Sequence, residues 1–330
     1  MTETIRIATF NVENLDDIAD QTPTLAHRIA VMRPQLLRLK ADVLCLQEVH
    51  GQETPNQPRK LLALEKLLED TPYADFHKVS TVTAEGDQVY DVRNLVIVSR
   101  FEITDHAQWK HEFAPAPRYQ KVTANPPEGE DKKITWERPI LHAKIALPNG
   151  RTLDVVNLHL KSRIPSNVDG QKINNYTWKT ASGWAEGFFI SSMKRVGQAL
   201  ETRMLVDKLF DEDEGAFLVV CGDFNADNDD VPVLAIRGDV ENTGNGELAN
   251  RVLVPCERTI PEPSRYSLFH HGQGEMLDHL LVSRSLLAYY RGSEVHNELL
   301  HDESISFATD QKFPEADHAP VIAEFDMGSA

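Results

Sequence analysis

Six segments of this 330-residue chain pair an apolar run with acids, amides or imidazoles. "VVCGDFNAD" (219–227) stops at a glycine and then presents Asp223 and Asn225. "ATFNVEN" carries Asn11 and Glu13, and "VVNLHLKS" carries Asn157 and His159, each pair two residues apart. "VLCLQEVH" ends with Glu48, "MLDHLLVS" holds Asp278 and His279, and "ADHAPVIAEF" sets Asp317 and His318 just ahead of an apolar stretch. Side chains two apart on an extended segment point the same way, so each pair would face one spot. A lone Gly-Asp-Asn cluster is equally well read as a turn. Six such tips are not: they would leave charge in a core unless the groups met one another and a cation. The types and spacing therefore predict one polar, cation-assisted site.

Those tips need strands behind them. "IRIATFNV", "ADVLCLQEV", "RNLVIVSR", "RPILHAKIAL", "TLDVVNLHLKS", "AFLVVCGDFN", "MLDHLLVS" and "APVIAEFD" read as strands. Residues 25–40 keep helical spacing in Leu25, Ile29, Met32 and Leu36 despite Pro34, and 59–70 form a second amphipathic helix. Residues 185–210 read as a long helix whose apolar face is Met193, Val196, Leu200, Met204 and Leu209. Polar segments 125–133, 164–175 and 299–314 are expected to be mobile loops. Many strands with interspersed helices, and no parallel βαβ regularity, predict layered sheets flanked by helices in a single domain over 1–330.

Composition narrows the class. The chain is 41% hydrophobic and 26% charged, as a folded protein is. No stretch approaches the ~18 apolar residues of a membrane span. The N-terminus enters a strand pattern with no export signal ahead of it, which predicts a cytoplasmic protein. Cys45, Cys221 and Cys256 are odd in number and lack ligand spacing, so buried inert thiols are expected. The net charge of -17 disfavours a non-specific duplex binder. Residues 107–203 reverse that sign and contain Trp109, Trp136, Trp178 and Trp184. Cations among aromatics suit an anionic, stackable ligand. Core tryptophans beside solvated charges fit the segment equally well.

The ordered series "TFNVEN", "LQEV", "RNLVIVSRFEI", "NLHLKS", "GDFNA", "LDHLLVS" and "DHAPV" resembles the endonuclease/exonuclease/phosphatase superfamily over nearly the whole chain. The resemblance implies an α/β fold, a four-layer sandwich of two packed mixed β-sheets flanked by helices, with a metal site at one edge. It implies that Glu48 is the principal metal carboxylate, with Asn11 beside it and Asp317 as a further ligand or a water bridge. Oxygen ligands mean Mg²⁺ or Mn²⁺ rather than zinc. His318 resembles the imidazole on the scissile phosphate, oriented by Asp278 and alternative to Asp223 as the base that takes the water's proton; His159 resembles the one near the leaving oxygen. Asp223 resembles the group that aligns or deprotonates water, and Asn225 a phosphate donor. Glu13, Asn94, Arg138 and Asn157 match supporting positions, while Lys161, Arg163, Arg118 and Lys121 are candidates for phosphate contact.

Departures bear on the substrate. A cationic, aromatic insertion, about 161–190, follows His159, which stands where the abasic-site endonucleases have a tyrosine. Asp317 stands where the inositol phosphatases have a serine. The expectation is a divalent-metal-dependent phosphodiesterase for small diesters or short single-stranded nucleic acid, with no membrane and no obligate protein partner. Duplex endonuclease, phosphomonoesterase or phospholipid diesterase, and a non-catalytic binder keeping the fold are the competing readings.

Overall fold

The computed structural model describes residues 4–328. The chain runs through β1 (Thr4–Leu15), α1 (Leu25–Leu39), β2 (Val43–Val49), α2 (Leu62–Leu68), β3 (His77–Ser80) and β4 (Asn94–Ser99). It continues with β5 (Ile103–Trp109), β6 (Ile140–Ala146), β7 (Thr152–His159), α3 (Ala181–Glu212), β8 (Phe217–Asp223) and α4 (Val231–Arg237). β9 (Leu253–Pro255), β10 (Asp278–Ser283), β11 (Tyr290–Val295), α5 (Glu303–Thr309) and β12 (Val321–Asp326) complete the main elements.

Period-two alternation sorts these strands into layers. On β1, Ile5 and Ile7 join a core shared with the second sheet, while Ala8 and Phe10 pack with Met32 and Leu36 of α1 and Leu64 and Leu67 of α2. On β8, Val219 and Cys221 enter the shared core, while Leu218 and Val220 pack with Leu205 and Leu209 of α3 and Val233 of α4. Two six-stranded sheets result, in orders β11-β12-β1-β2-β4-β3 and β9-β10-β8-β7-β6-β5. Each is mixed: β1–β2 and β7–β8 are parallel, and the pairs flanking them are antiparallel. Helices cover both outer faces, so the expected four-layer α/β sandwich is the fold.

Asn157 lies inside this sandwich, fully buried. A buried carboxamide costs several kcal/mol unless its bonds are made. Its Nδ2 donates to the Leu46 and Val96 carbonyls (3.1 and 3.0 Å), and its Oδ1 accepts from Gln47 Nε2 (2.8 Å). Asn157 thus stitches β7 to the opposite sheet, which is its supporting role.

Three local expectations change. Residues 57–60 pair as a ribbon with 52–54, so α2 starts later than the periodicity implies. Within 299–314 the chain forms α5, capped by the Asp302 side chain on Ser304 N. On α3 the expected apolar face is only partly buried: Leu209 is in the core and Met193 is partly covered, but Val196, Leu200 and Met204 are exposed, and Gln198, Glu201 and Thr202 are buried with Leu205. Glu201 accepts from Trp136 Nε1 and the amides of Glu112 and Phe113, and Glu186 from the amides of Val122 and Thr123. Two buried glutamates therefore staple the 110–137 segment to α3. Trp136 is core, whereas Trp184 is 47% exposed and stacked on Phe188.

Gly222 sits at φ +137° between β7 and β10, where an added Cβ would collide with the Leu158 carbonyl. Gly222→Ala should cost about 3 kcal/mol or more, read by chemical denaturation, because strain and collision act together. A loss below about 1 kcal/mol would mean that β7 yields freely.

Candidate active site

At one end of the sandwich the shared face of the strands turns polar. Val219 and Cys221 are followed in step by Asp223, Val155 by Asn157 and His159, and Ile5 and Ile7 by Thr9 and Asn11. Leu280 is preceded in step by Asp278. Register then aligns the tips: His159 pairs with Asp223, and Asp223 with Asp278. His318 reaches the row from the loop before β12, seated by a bridge to Leu268 and by Ala319 N donating to the Ser267 carbonyl (2.7 Å).

Asp223 is the hub. Its carboxylate accepts from Asn11 Nδ2 (3.1 Å), Asn225 Nδ2 (3.0 Å) and the Asn225 amide (2.8 Å), with His159 Nε2 at 3.1 Å and His318 Nε2 at 3.9 Å. Burial opposes its ionisation, but the charges of His318 and His159 and these bonds hold it well below the usual carboxylate range. Asn225 gets there through a turn at φ +49°, not by strand alternation. Its other N–H goes to the Leu160 carbonyl (3.1 Å), so both donors are spent on fixing the corner rather than left for phosphate.

The two imidazoles differ. His318 Nδ1 meets Asp278 Oδ2 at 2.6 Å. Burial disfavours its charge, but Asp278 and Asp223 prevail and raise it well above the ordinary histidine range. His159 goes the other way, lowered by burial and by Arg138 against the pull of Asp223 and Glu48. The two rings are thus biased in opposite directions, His318 towards holding its second proton and His159 towards losing it.

Glu48 belongs by alternation with Leu44 and Leu46, which face the helices. A left-handed backbone (φ +61°) and a register break between Leu46 and Val49 turn it to the row instead. Its carboxylate accepts from the Asn14 amide (3.0 Å) and lies 3.6 Å from His159 Nε2 and 3.9 Å from Arg93 Nε. Burial raises its pKa, but His159, Arg93 and Arg138 bring it below the usual value. Glu13, Asn14 and Arg93 are also left-handed. Each such residue costs on the order of 1–2 kcal/mol, and their gathering at one site marks geometry held against preference.

Glu13 and Asp317 complete the acidic side: the Asp317 amide donates to Glu13 Oε2 (3.1 Å). Burial lifts the Glu13 carboxyl to about 7 despite Arg28, and burial with the charge of Glu13 lifts Asp317 well above its usual range. Arg28 lashes this corner to α1 through the carbonyls of Val12 and Glu13 (both 2.8 Å). The two carboxyls thus lie side by side in an environment that opposes their ionisation. Asp223, Asp278 and His318 also gather their ligand atoms within 4.8 Å of one another. There the His318–Asp278 bond occupies one ring nitrogen and Asp278 Oδ2, while Asp278 Oδ1 is buried without a partner. Asn11 joins the two halves, its Nδ2 on Asp223 and its Oδ1 on the Glu13 amide (3.0 Å).

Other expected residues lie behind this surface. Asn94 is spent on the Val49 and Tyr90 carbonyls and the Tyr90 amide, holding the corner that bears Arg93. His279 points away, between Glu257 (2.6 Å) and the Ala226 carbonyl (2.9 Å). Arg138 is buried under β7, its Nε on the His159 carbonyl (3.2 Å). Arg163 is no free phosphate ligand: it pairs with Glu275 and Asp230 and donates to the Asn225 carbonyl (3.3 Å), bracing that turn. Arg118 is paired with Asp131, and Lys121 with Asp169 and Glu128. Sequence reasoning missed Arg93, Asn14 and Arg28. Arg93 sits beside the matched Asn94 and Asn14 ends the "TFNVEN" motif, whereas nothing local marks Arg28.

The profile of the Endonuclease/Exonuclease/phosphatase family matches residues 8–300. The chain belongs to this family. No curated protein sequence matches it significantly. Solved structures share the family's fold at low identity. A 3' phosphatase, NExo, from Neisseria, bound to a product DNA hairpin, is 19% identical with a TM-score of 0.52, covering 98% of this chain and 99% of its own. A family protein from Bacteroides thetaiotaomicron is 15% identical with a TM-score of 0.58, over 99% and 97%. An AP endonuclease from Archaeoglobus fulgidus is 19% identical with a TM-score of 0.52, over 98% and 100%. The family is one of phosphoric ester hydrolases, and none of the described helices is long and apolar enough to cross a membrane.

Proposed function

We propose that this family member is a divalent-metal-dependent phosphodiesterase acting on small diesters or short single-stranded nucleic acid. The observation that carries the reading is the row His159–Asp223–Asp278–His318 set against the acidic side of Glu13, Glu48 and Asp317. Glu48, with Asn11 and Asp317, would hold Mg²⁺ or Mn²⁺, which supplies positive charge to the phosphoryl and leaving oxygens. His318 donates its Nε2 proton to a phosphoryl oxygen while Asp278 fixes the ring through Nδ1. His159, held by Asp223 at 3.1 Å, stands near the leaving oxygen. Asp223, surrounded by donors, is a poor proton acceptor, and its part is to align the attacking water.

The surface favours small substrates. Within the cationic third, Arg118, Lys121, Lys132, Lys144 and Arg203 pair with acids, which reduces the positive charge available to a duplex. Bis(p-nitrophenyl) phosphate and short oligonucleotides should turn over with Mg²⁺ or Mn²⁺, stop in EDTA, and be preferred to plasmid. Turnover that survives EDTA would overturn the metal role. Efficient nicking of supercoiled plasmid at physiological salt would make a duplex endonuclease the better reading.

A further inference from the structure

A group of cations lies against the His159 end of β7, outside the catalytic row. Lys194 of α3 approaches Glu137 Oε1 at 3.5 Å, Arg138 Nη2 lies 3.9 Å from Glu137 Oε2, and Lys110 donates to the Glu137 carbonyl (3.2 Å). Lys161, two residues beyond His159, donates to the hydroxyl of its neighbour Ser162 (2.8 Å). Arg93 closes the group from the Glu48 side. Arg138 Nη1 is buried and has no partner. An unmade bond from a buried guanidinium is expensive, and the two carboxylates set against this group, Glu137 and Glu48, are fewer than its cations.

Lys161 registers the imbalance. Burial pushes its ammonium down to about 8, with Glu137 opposing and Lys194, Arg138 and Arg93 adding to the effect. Like charges gathered beside an unsatisfied donor are stabilised by a compact anion with several acceptor oxygens. Arg163, neutralised by its own acids, takes no part.

We propose that Lys161 and Lys194, backed by the buried charge of Arg138, form a second phosphate subsite, so that the preferred substrate carries another phosphate beside the scissile diester. The inference rests on the phosphodiesterase reading and narrows it to substrates with at least two phosphates. The extra phosphate could stand on either side of the scissile group, so the test carries both arms.

The dinucleotides TpT, pTpT and TpTp should be compared by product chromatography with Mn²⁺. One phosphorylated form should exceed TpT in kcat/KM by roughly tenfold, the worth of one charge-assisted hydrogen bond. Lys161→Ala and Lys194→Ala should each bring that ratio towards one, and Lys194→Arg should keep most of it. A purely structural role would lower all three substrates alike. Equal turnover of all three by the wild type, or a preference that survives both alanine variants, would overturn the subsite. Inorganic pyrophosphate binding, measured calorimetrically in EDTA, separates the two readings. Pyrophosphate binding that requires Lys161, with no dinucleotide cleaved, would retain the subsite and sink the diesterase; hydrolysis with no such binding would do the reverse.

Discussion

Glu48→Gln should abolish phosphodiester hydrolysis and, with it, the stabilisation that Mg²⁺ or Mn²⁺ gives the folded protein. The variant keeps the size and the Oε acceptor that the Asn14 amide uses, so the fold should persist. What it loses is the charge that His159, Arg93 and Arg138 hold in place against burial. In wild type, metal at about a hundred times its Kd adds about 2.7 kcal/mol to stability by mass action. A Tm rise on the order of 5 °C follows, and the variant should show little of it. Activity should fall roughly a thousandfold or more, the worth of the several kcal/mol of charge stabilisation an ion supplies. A Glu48→Gln protein that keeps its metal-dependent Tm rise would move the ion elsewhere, and the Asp223–Asp278–His318 group would be the next place to look.

His318→Ala should lower kcat by roughly 10²–10⁴-fold, the usual worth of a positioned proton donor, with KM changed only a few-fold. Asp278→Asn should give a loss of similar size, because the 2.6 Å bond to Nδ1 fixes both the ring and its proton. The double variant should be little worse than either single, since groups that act as a unit are not additive. Asp278 is fully buried, so unfolding transitions must be recorded alongside the rates. Losses that multiply would mean that the two side chains work independently, whatever their distance.

Much of the site is legible in the sequence because strand alternation is a local rule. Asp223 continues the face of Val219 and Cys221, His159 that of Val155 and Asn157, and Asp278 that of Leu280, so three of the four members of the row follow from counting by two. The order of the motifs gave the family before any coordinate, and layered sheets follow from many strands separated by helices. α1 is equally local: Thr24 caps it, Lys40 ends it in a left-handed turn, and its apolar spacing is the buried face.

The rest depends on partners far along the chain. Alternation alone sends Glu48 towards the helices, and the left-handed turn and register break that reverse it depend on how β2 pairs with β1 and β4. Arg163 looks like a phosphate ligand until the fold brings Glu275 and Asp230 to it. On α3, Val196, Leu200 and Met204 stay outside because loop amides and Trp136 claim Glu186 and Glu201 as acceptors, and meeting buried N–H groups outweighs hiding a few more methyls. Sequence by itself determined the strands, their polar tips and the chemistry available there. Tertiary structure decided which charges stay free and which are spent, because a charge is neutralised by whatever acid the chain folds against it, at any separation in sequence.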